Sequence, residues 1–121
     1  MDGWRGFIPE KLPSLNDYIR TCRGNKYAAA KEKADIEEKL SWYLRTCPRF
    51  DGPVEIEFTW MEGNRRRDYD NVCFAKKFVL DALVKMGRLP DDNRNFVTAF
   101  HDEFIYKKDQ FGLYLRIQRK G

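Results

Sequence analysis

The chain has 121 residues, a length typical of one domain, and its 42% hydrophobic and 15% aromatic residues are enough to form a core. Its net charge of +4 favours an anionic partner only weakly, and its three cysteines indicate reduced thiols rather than a disulfide framework. No apolar run is long enough to cross a membrane, and residues 1–9 contain no apolar signal segment. We therefore expect a single cytoplasmic domain over residues 1–121 with no membrane partner.

The first half of the chain predicts a strand, a helix and a second strand. A short strand is expected near Trp4–Ile8, and Pro13–Asn16 is predicted to be a loop. From residue 25 to residue 46 the apolar residues recur at helical spacing, with Asn25 as the N-cap. Residues 54–61 then alternate between apolar and polar, which indicates a strand with one buried face.

The second half predicts a helix followed by two strands. The helix is expected over Asn71–Met86, with Gly87 as its C′ residue. Phe96–Tyr106 and Phe111–Arg119 are predicted strands, joined as a hairpin by residues 107–110. The order β-α-β-α-β-β predicts an α+β fold, a mixed four-stranded β-sheet with two α-helices packed on one face.

Two aspartates directly after a basic run form the most informative motif. Arg65, Arg66 and Arg67 are followed by Asp68 and Asp70. In an extended segment, residues two apart point to the same side, so both carboxylates can converge on one cation. Carboxylate oxygens suit Mg²⁺ or Mn²⁺, and arginines suit phosphates, so the motif favours a metal-dependent site on nucleic acid.

A second acidic pair, Asp91-Asp92, lies in the loop after the predicted helix. Together with the first pair it indicates a phosphodiesterase site, where a metal polarises the phosphoryl oxygen and activates water. Each piece also has an ordinary structural explanation. Asp70 can be an N-cap, Asp91-Asp92 can be turn residues, and the three arginines can be a solvated loop.

The motifs together resemble the signature of the RusA family of Holliday junction resolvases. The matching pieces are Arg66-Arg67-Asp68-Tyr69-Asp70-Asn71, Asp81-Ala82-Leu83, Gly87, Asp91-Asp92 and the N-terminal Pro13-Ser14-Leu15-Asn16. The resemblance implies a homodimeric, Mg²⁺-dependent endonuclease that resolves four-way DNA junctions by paired nicks, in recombination and repair. Mn²⁺ is expected to substitute. The family is often prophage-borne, which favours a phage origin.

The resemblance also implies roles for particular residues. Asp68, Asp70 and Asp92 match the family's essential carboxylates and are expected to hold the metal, with Asp91 as a helper. We expect Arg65, Arg66, Arg67 and Lys76 to bind the DNA backbone. His101, beside Asp102, is expected to be structural.

The chain departs from the family pattern at the catalytic lysine. That lysine usually comes four residues after the second aspartate, where this chain has Phe74. The segment is about three residues longer than usual, and counting back four from Asp81 gives Lys77. Seven residues after Asp70, Lys77 is nearly in register with it on a continuous helix, so we assign it the role, with Lys76 second. A solvated helix lysine is the alternative.

The position of Asp92 leaves two alternatives open. A helix over residues 71–86 is about 23 Å long, whereas residues 87–92 extend over only about 17 Å. Asp92 therefore meets Asp70 only if the helix is short or bent, or if a second copy of the chain completes the site.

Two other functions also stay open: a junction-binding protein without nuclease activity, marked by Phe74, and a nuclease acting on flaps or forks.

Overall fold

The computed structural model describes residues 3–120, so residues 1, 2 and 121 of the expected domain lie outside it. The elements in this range are β1 (Gly3–Ile8), α1 (Leu15–Gly24), α2 (Lys26–Tyr43), β2 (Val54–Glu62), α3 (Tyr69–Cys73), α4 (Lys76–Lys85), β3 (Val97–Tyr106) and β4 (Gly112–Arg119). The four strand predictions are confirmed, with ends that differ by about one residue.

The strands form one mixed sheet in the order β1-β4-β2-β3. β4 is antiparallel to both of its neighbours, whereas β2 and β3 run parallel to each other. Parallel neighbours need a crossover connection, and the segment that carries α3 and α4 supplies it. The α+β class and the mixed four-stranded sheet are therefore confirmed.

The connection between β3 and β4 is not the predicted hairpin, because β2 lies between the two strands. It crosses the end of β2, where the Lys107 N–H donates to the Glu62 carbonyl at 3.0 Å and the Asp109 N–H to the Gly63 carbonyl at 2.9 Å. Gly63 permits this close approach, since a β-carbon there would lie 2.6 Å from the Gln110 backbone nitrogen. The turn residues and the strand β2 were both predicted, but not the position of β2 between β3 and β4.

The prediction of two helices was wrong, since a further helix, α1, begins inside the predicted Pro13–Asn16 loop. Ser14 caps α1 in a reciprocal capping box: its hydroxyl accepts from the Asp17 N–H at 3.2 Å, and the Asp17 carboxylate accepts from the Ser14 N–H at 3.1 Å. α1 has no buried residue, but Leu15, Tyr18, Ile19 and Cys22 recur at helical spacing, and Tyr18 packs against the core. The loop interpretation of Pro13–Asn16 overlooked this stripe. Asn25 caps α2 as predicted, accepting from the Tyr27 N–H at 2.8 Å.

The predicted helix over Asn71–Met86 is divided into α3 and α4. The backbone bonds at the break join residues three apart, such as the Ala75 N–H to the Val72 carbonyl at 3.2 Å and the Phe78 N–H to the Ala75 carbonyl at 3.1 Å. Such bonds have 3₁₀ geometry, with fewer residues per turn than an α-helix. The register that we predicted between Asp70 and Lys77 assumed a continuous helix, so that argument does not hold.

Gly87 ends α4 as predicted, with a φ of 72°. Its N–H donates to the Val84 carbonyl at 3.0 Å, and the Arg88 N–H donates to the Leu83 carbonyl at 2.8 Å, which together form a Schellman motif. The chain then turns away from the helix axis, and the Phe50 N–H donates to the Arg88 carbonyl at 2.9 Å. This fixes the start of the loop that carries the second acidic pair.

The core lies between the helices and one face of the sheet. Ile56 and Phe58 of β2 and Ile117 of β4 are buried against Leu40 of α2 and Leu83 of α4. Alternate positions on the central strands point to the opposite face, which is polar around an ion pair between Arg116 and Glu57. Within residues 3–120, no helix has both the length and the apolar character needed to cross a bilayer.

Candidate metal and nucleic-acid site

A groove of about 640 Å³ opens at the end of β2 and β3, beside the start of α3. It is lined by Glu62, Asn64, Arg65, Arg67, Asp68, Tyr69, Asp70, Phe104, Ile105 and Tyr106. The motif singled out in the sequence therefore forms one side of the groove, and the last residues of β3 form the other. Residues about 40 positions apart meet here because β2 and β3 are parallel and end at the same edge of the sheet.

Asp68 and Asp70 both line the groove and are both exposed. Asp68 takes the N-cap position of α3 with extended backbone angles, but its side chain makes no capping hydrogen bond. Asp70 lies in the first helical turn, so the alternative that Asp70 is the N-cap is wrong. A short helix, rather than the extended segment that we expected, carries Asp70. Both carboxylates are free of ion pairs within residues 3–120.

Arg67 is held inside the fold. Its guanidinium donates to both carboxylate oxygens of Glu62, at 2.8 and 2.7 Å, and to the Leu12 carbonyl at 2.8 Å. The side chain of Arg67 is only 13% exposed, and a second carboxylate, Asp17, lies 3.9 Å away. These bonds tie the loop before α3 to the end of β2 and to the loop before α1. The guanidinium of Arg67, which we expected to bind phosphate, is therefore used within the fold.

The other two arginines of the run remain exposed. The Arg65 guanidinium lies 4.7 Å from the centroid of the Tyr106 ring, a cation–π contact that keeps its charge at the groove. Arg66 uses only its backbone N–H, which donates to the Asn64 side chain at 3.0 Å. Adjacent arginines thus take different roles, and Arg65 and Arg66 are the two with charges accessible to an anion.

The two lysines considered for catalysis differ in the same way. Lys76 donates to the Asp102 carboxylate at 2.8 Å and lies 4.4 Å from the Phe100 ring centroid, with its side chain 17% exposed. Asp102 also accepts from the Trp60 indole N–H at 2.9 Å. Lys77 is exposed and, within residues 3–120, forms none of the ion pairs. Lys77 is therefore the lysine whose charge is available, and Lys76 fastens α4 to β3.

Asp102 was missed as a site-organising residue. It pairs in register with Phe58 on β2 and so occupies a position on the helix-covered face of the sheet. A charged residue at such a position needs a partner, and Lys76 and Trp60 together supply it. The alternation of apolar and polar residues along β3 indicates that Asp102 lies on the covered face. It does not show the partners of Asp102, which lie on other elements. His101 points to the opposite face, next to Glu57, and does not line the groove.

Phe74, which stands where the family has its lysine, has a packing role. Its ring centroid lies 5.6 Å from both the Tyr18 ring and the Phe78 ring. The cluster joins α1 to the break between α3 and α4, so an apolar side chain is required at this position. Burial raises the pKa of the nearby Cys73 thiol, and the Asp102 carboxylate raises it further.

The structure does not bring Asp91 and Asp92 to the groove within one protomer. Asp91 accepts from the Asp92 N–H at 2.7 Å and from the Asn93 amide at 3.2 Å, so the loop is a self-contained, exposed turn. It leads directly into Val97, which pairs with Val54 at the start of β2. The groove lies at the other end of this nine-residue strand. Such a strand is about 26 Å long.

The residues at the groove fit Mg²⁺ as a partial shell. Mg²⁺ is commonly held by one or two carboxylates, with water and substrate phosphate oxygens as the remaining ligands. Asp68 and Asp70 supply two such carboxylates at an open surface. Among residues 3–120, no three histidine, cysteine, aspartate or glutamate side chains are grouped closely enough to enclose a metal.

No family model matches the chain, and no curated protein matches it either.

Proposed function

We propose that the chain is a Mg²⁺-dependent DNA endonuclease that resolves four-way junctions by paired nicks. The observation that carries the proposal is the groove, where Asp68 and Asp70, two carboxylates without an ion pair among residues 3–120, lie beside the exposed charge of Arg65. These residues belong to the segment that resembles the RusA family most closely. Free carboxylates next to a free arginine suit a phosphodiester held near a divalent metal.

Each candidate residue has a defined part in this proposal: Asp68, Asp70 and Arg65 line the groove, whereas Arg66 and Lys77 are exposed residues outside its lining. Asp68 and Asp70 would hold Mg²⁺, which supplies Lewis-acid polarisation of the phosphate and activation of water. Arg65 and Arg66 would hold the phosphates on either side of the scissile bond. Lys77, the exposed lysine at the start of α4, would stabilise the charge that develops on the phosphate or on the leaving oxygen.

Asp92 enters the proposal through a second copy of the chain. The acidic loop lies at the far end of β2 from the groove of its own protomer. In a two-fold dimer, the loop of one protomer can face the groove of the other, and the same contact then forms twice. Two identical composite sites related by a two-fold axis match the symmetry of a four-way junction and provide for paired nicks.

The test is cleavage of a labelled synthetic four-way junction with Mg²⁺, beside a linear duplex of the same sequence. Asp70→Asn removes a carboxylate charge at the groove and is expected to lower the nicking rate by at least ~100-fold, because metal polarisation is worth several kcal/mol. Asp51→Asn is the matched control, since Asp51 is an exposed aspartate paired with Arg49 outside the groove. Cleavage that continues unchanged in Asp70→Asn, or that needs no metal, would disprove the proposed site.

A binding protein without nuclease activity is the second candidate. It is favoured by Phe74 at the family's lysine position and by the engagement of Lys76 with Asp102. The same assay separates the two candidates. Tight binding of the junction without nicking in Mg²⁺ or Mn²⁺ would establish the binding protein, whereas equal nicking of flaps and forks would widen the substrate class.

A further inference from the structure

One wall of the groove is aromatic and faces solvent. The Tyr69 ring is stacked on the Phe104 ring, with centroids 3.8 Å apart and an angle of 9° between the ring planes. Phe104 is partly buried against the core and supports the stack from inside. Tyr69 nevertheless remains 65% exposed, because only one of its faces is covered. The other face is a flat, rigidly supported surface.

The functional groups around the exposed face of Tyr69 all belong to the groove. Tyr69 stands between Asp68 and Asp70 in the chain, and all three residues line the same groove. Tyr106, two residues after Phe104 on β3, also lines the groove and is half-exposed, and the Arg65 guanidinium lies 4.7 Å from its centroid. An aromatic face, a cation and a pair of free carboxylates thus meet within one volume of about 640 Å³.

These three features together describe one kind of ligand. A flat aromatic face binds a flat π-system, an arginine binds a phosphate, and paired carboxylates bind a metal at that phosphate. A nucleotide whose base has left the helical stack carries all of the complementary groups. Branched DNA offers such nucleotides where its arms meet, because stacking is interrupted there and unstacking is least costly.

We propose that the outer face of Tyr69 is a stacking subsite for one unstacked nucleobase, next to the phosphodiester held at Asp68 and Asp70. The subsite rests on the proposed function and specifies how the branch point is held. Because every base has a π-face, the stacking contact itself tolerates any sequence. Arg65 positions the neighbouring phosphate, so the base reaches Tyr69 only when the backbone lies in the groove.

The test measures the coupling between Tyr69 and single bases of the junction. Binding of a fixed four-way junction is measured by fluorescence anisotropy in Ca²⁺, for the wild type and for Tyr69→Leu. Each nucleotide that flanks the crossover is replaced in turn by an abasic residue. With all bases present, Tyr69→Leu is expected to weaken binding by about 5- to 100-fold, the range for losing one base–aromatic stack. At one abasic position, the same substitution should have no further effect.

Two control variants separate stacking from other roles of the ring. Tyr69→Phe keeps the aromatic face and is expected to bind as the wild type does. Trp42 is another exposed aromatic residue with an arginine over its ring, at 3.8 Å from Arg45, but it lies on α2 outside the groove. Trp42→Leu is therefore expected to leave binding unchanged at every abasic position.

The outcomes are distinct. An equal loss of affinity in Tyr69→Leu at every position, without coupling to any base, would show a structural role and overturn the subsite. A loss as large in Tyr69→Phe would assign the effect to the hydroxyl and overturn it as well. In both cases, nicking by the wild type would leave the proposed function standing. A wild type that neither binds nor nicks junctions would overturn both.

Discussion

The two ends of β2 differ in how their acidic residues are held. At the groove end, Asp68 and Asp70 form no ion pair with the part of the chain that the structure describes, while the surrounding segment is fixed by Arg67 and its bonds to Glu62. At the other end, Asp91 is bonded to its own neighbours in an exposed turn. At the groove end, the bonds of Arg67 to Glu62 thus form a frame that holds the segment with the two carboxylates. At the other end, the acidic residues lie in an exposed turn that is bonded to its own residues.

The comparison shows that the fold separates the two acidic pairs of the sequence motif. Both acidic pairs belong to the pattern that resembles the resolvase family, yet the crossover between β2 and β3 places them at opposite ends of the sheet. A site that uses both pairs therefore needs two protomers.

The largest expected effect is the recovery of activity when two inactive proteins are mixed. Asp70→Asn and Asp92→Asn are each expected to abolish nicking as homodimers. In a mixed dimer with composite sites, one site loses both carboxylates and the other keeps both, so one site works. We expect single nicks on the junction at up to about half of the wild-type rate per dimer, measured after mixing and partial unfolding to exchange subunits.

The control for this mixing is Asp70→Asn with Asp68→Asn, since both residues line the same groove of one protomer. That mixture should stay inactive, because each of its sites then lacks one carboxylate. If Asp70→Asn mixed with Asp92→Asn also stays inactive while mixed dimers are shown to form, Asp92 does not act across the dimer.

A smaller but still large effect is expected on the frame itself. Arg67→Ala leaves Glu62, only 13% exposed, without its partner, and it also frees the Leu12 carbonyl. We expect the free energy of unfolding to fall by about 3 kcal/mol, the range for breaking a largely buried ion pair. Urea unfolding monitored by circular dichroism checks this.

The neighbouring Arg66 provides the matched control for the frame. Arg66→Ala removes an exposed side chain and should change stability by no more than about 0.5 kcal/mol. For the affinity for DNA we expect the opposite order: Arg66→Ala should lower this affinity more than Arg67→Ala does, although it leaves the stability unchanged. Equal stability losses in both variants would show that Arg67 does not hold the groove.

The next effect on stability concerns the β3–β4 connection, which crosses the end of β2. Gly63→Ala places a β-carbon 2.6 Å from the Gln110 nitrogen, so the β3–β4 connection has to shift. We expect a loss of about 2 kcal/mol in unfolding free energy, as for overpacking elsewhere. Gly52→Ala is the control, because nothing lies within 4 Å of its added β-carbon. A tolerated Gly63→Ala would contradict the close packing at this edge.

The smallest effect is a pH dependence at the groove end. The pKa of Asp17 is lowered from its usual 3.8, mainly by the hydrogen bond from the Ser14 backbone, with Arg67 also contributing. A lowered folded-state pKa stabilises the fold above the unfolded-state value, and the contribution is lost as the pH falls through the folded-state value. Asp17→Asn should therefore cost about 0.5 kcal/mol at pH 7 and less at pH 3, measured by urea unfolding. A difference that grows at pH 3 would reverse the assigned sign.

Much of the fold followed from local patterns. The alternation of Val54, Ile56 and Phe58 predicted β2, and the Gly87 signal predicted the end of α4, because both depend on neighbouring residues only. α1 was missed although its signals are also local. Its capping box and the helical spacing of Leu15, Tyr18, Ile19 and Cys22 are both present in the sequence, but Pro13–Asn16 was interpreted as a loop.

The sequence by itself determined the four strands, the α+β class and the presence of an acidic pair beside arginines. Only the tertiary structure decided which charges remain free. Arg67 is occupied by a carbonyl 55 residues away, and Lys76 by a carboxylate 26 residues away. It also decided that Asp92 lies far from Asp70. The physical reason is that propensity and periodicity act over a few residues, whereas a charge is neutralised by whichever partner the fold brings within reach.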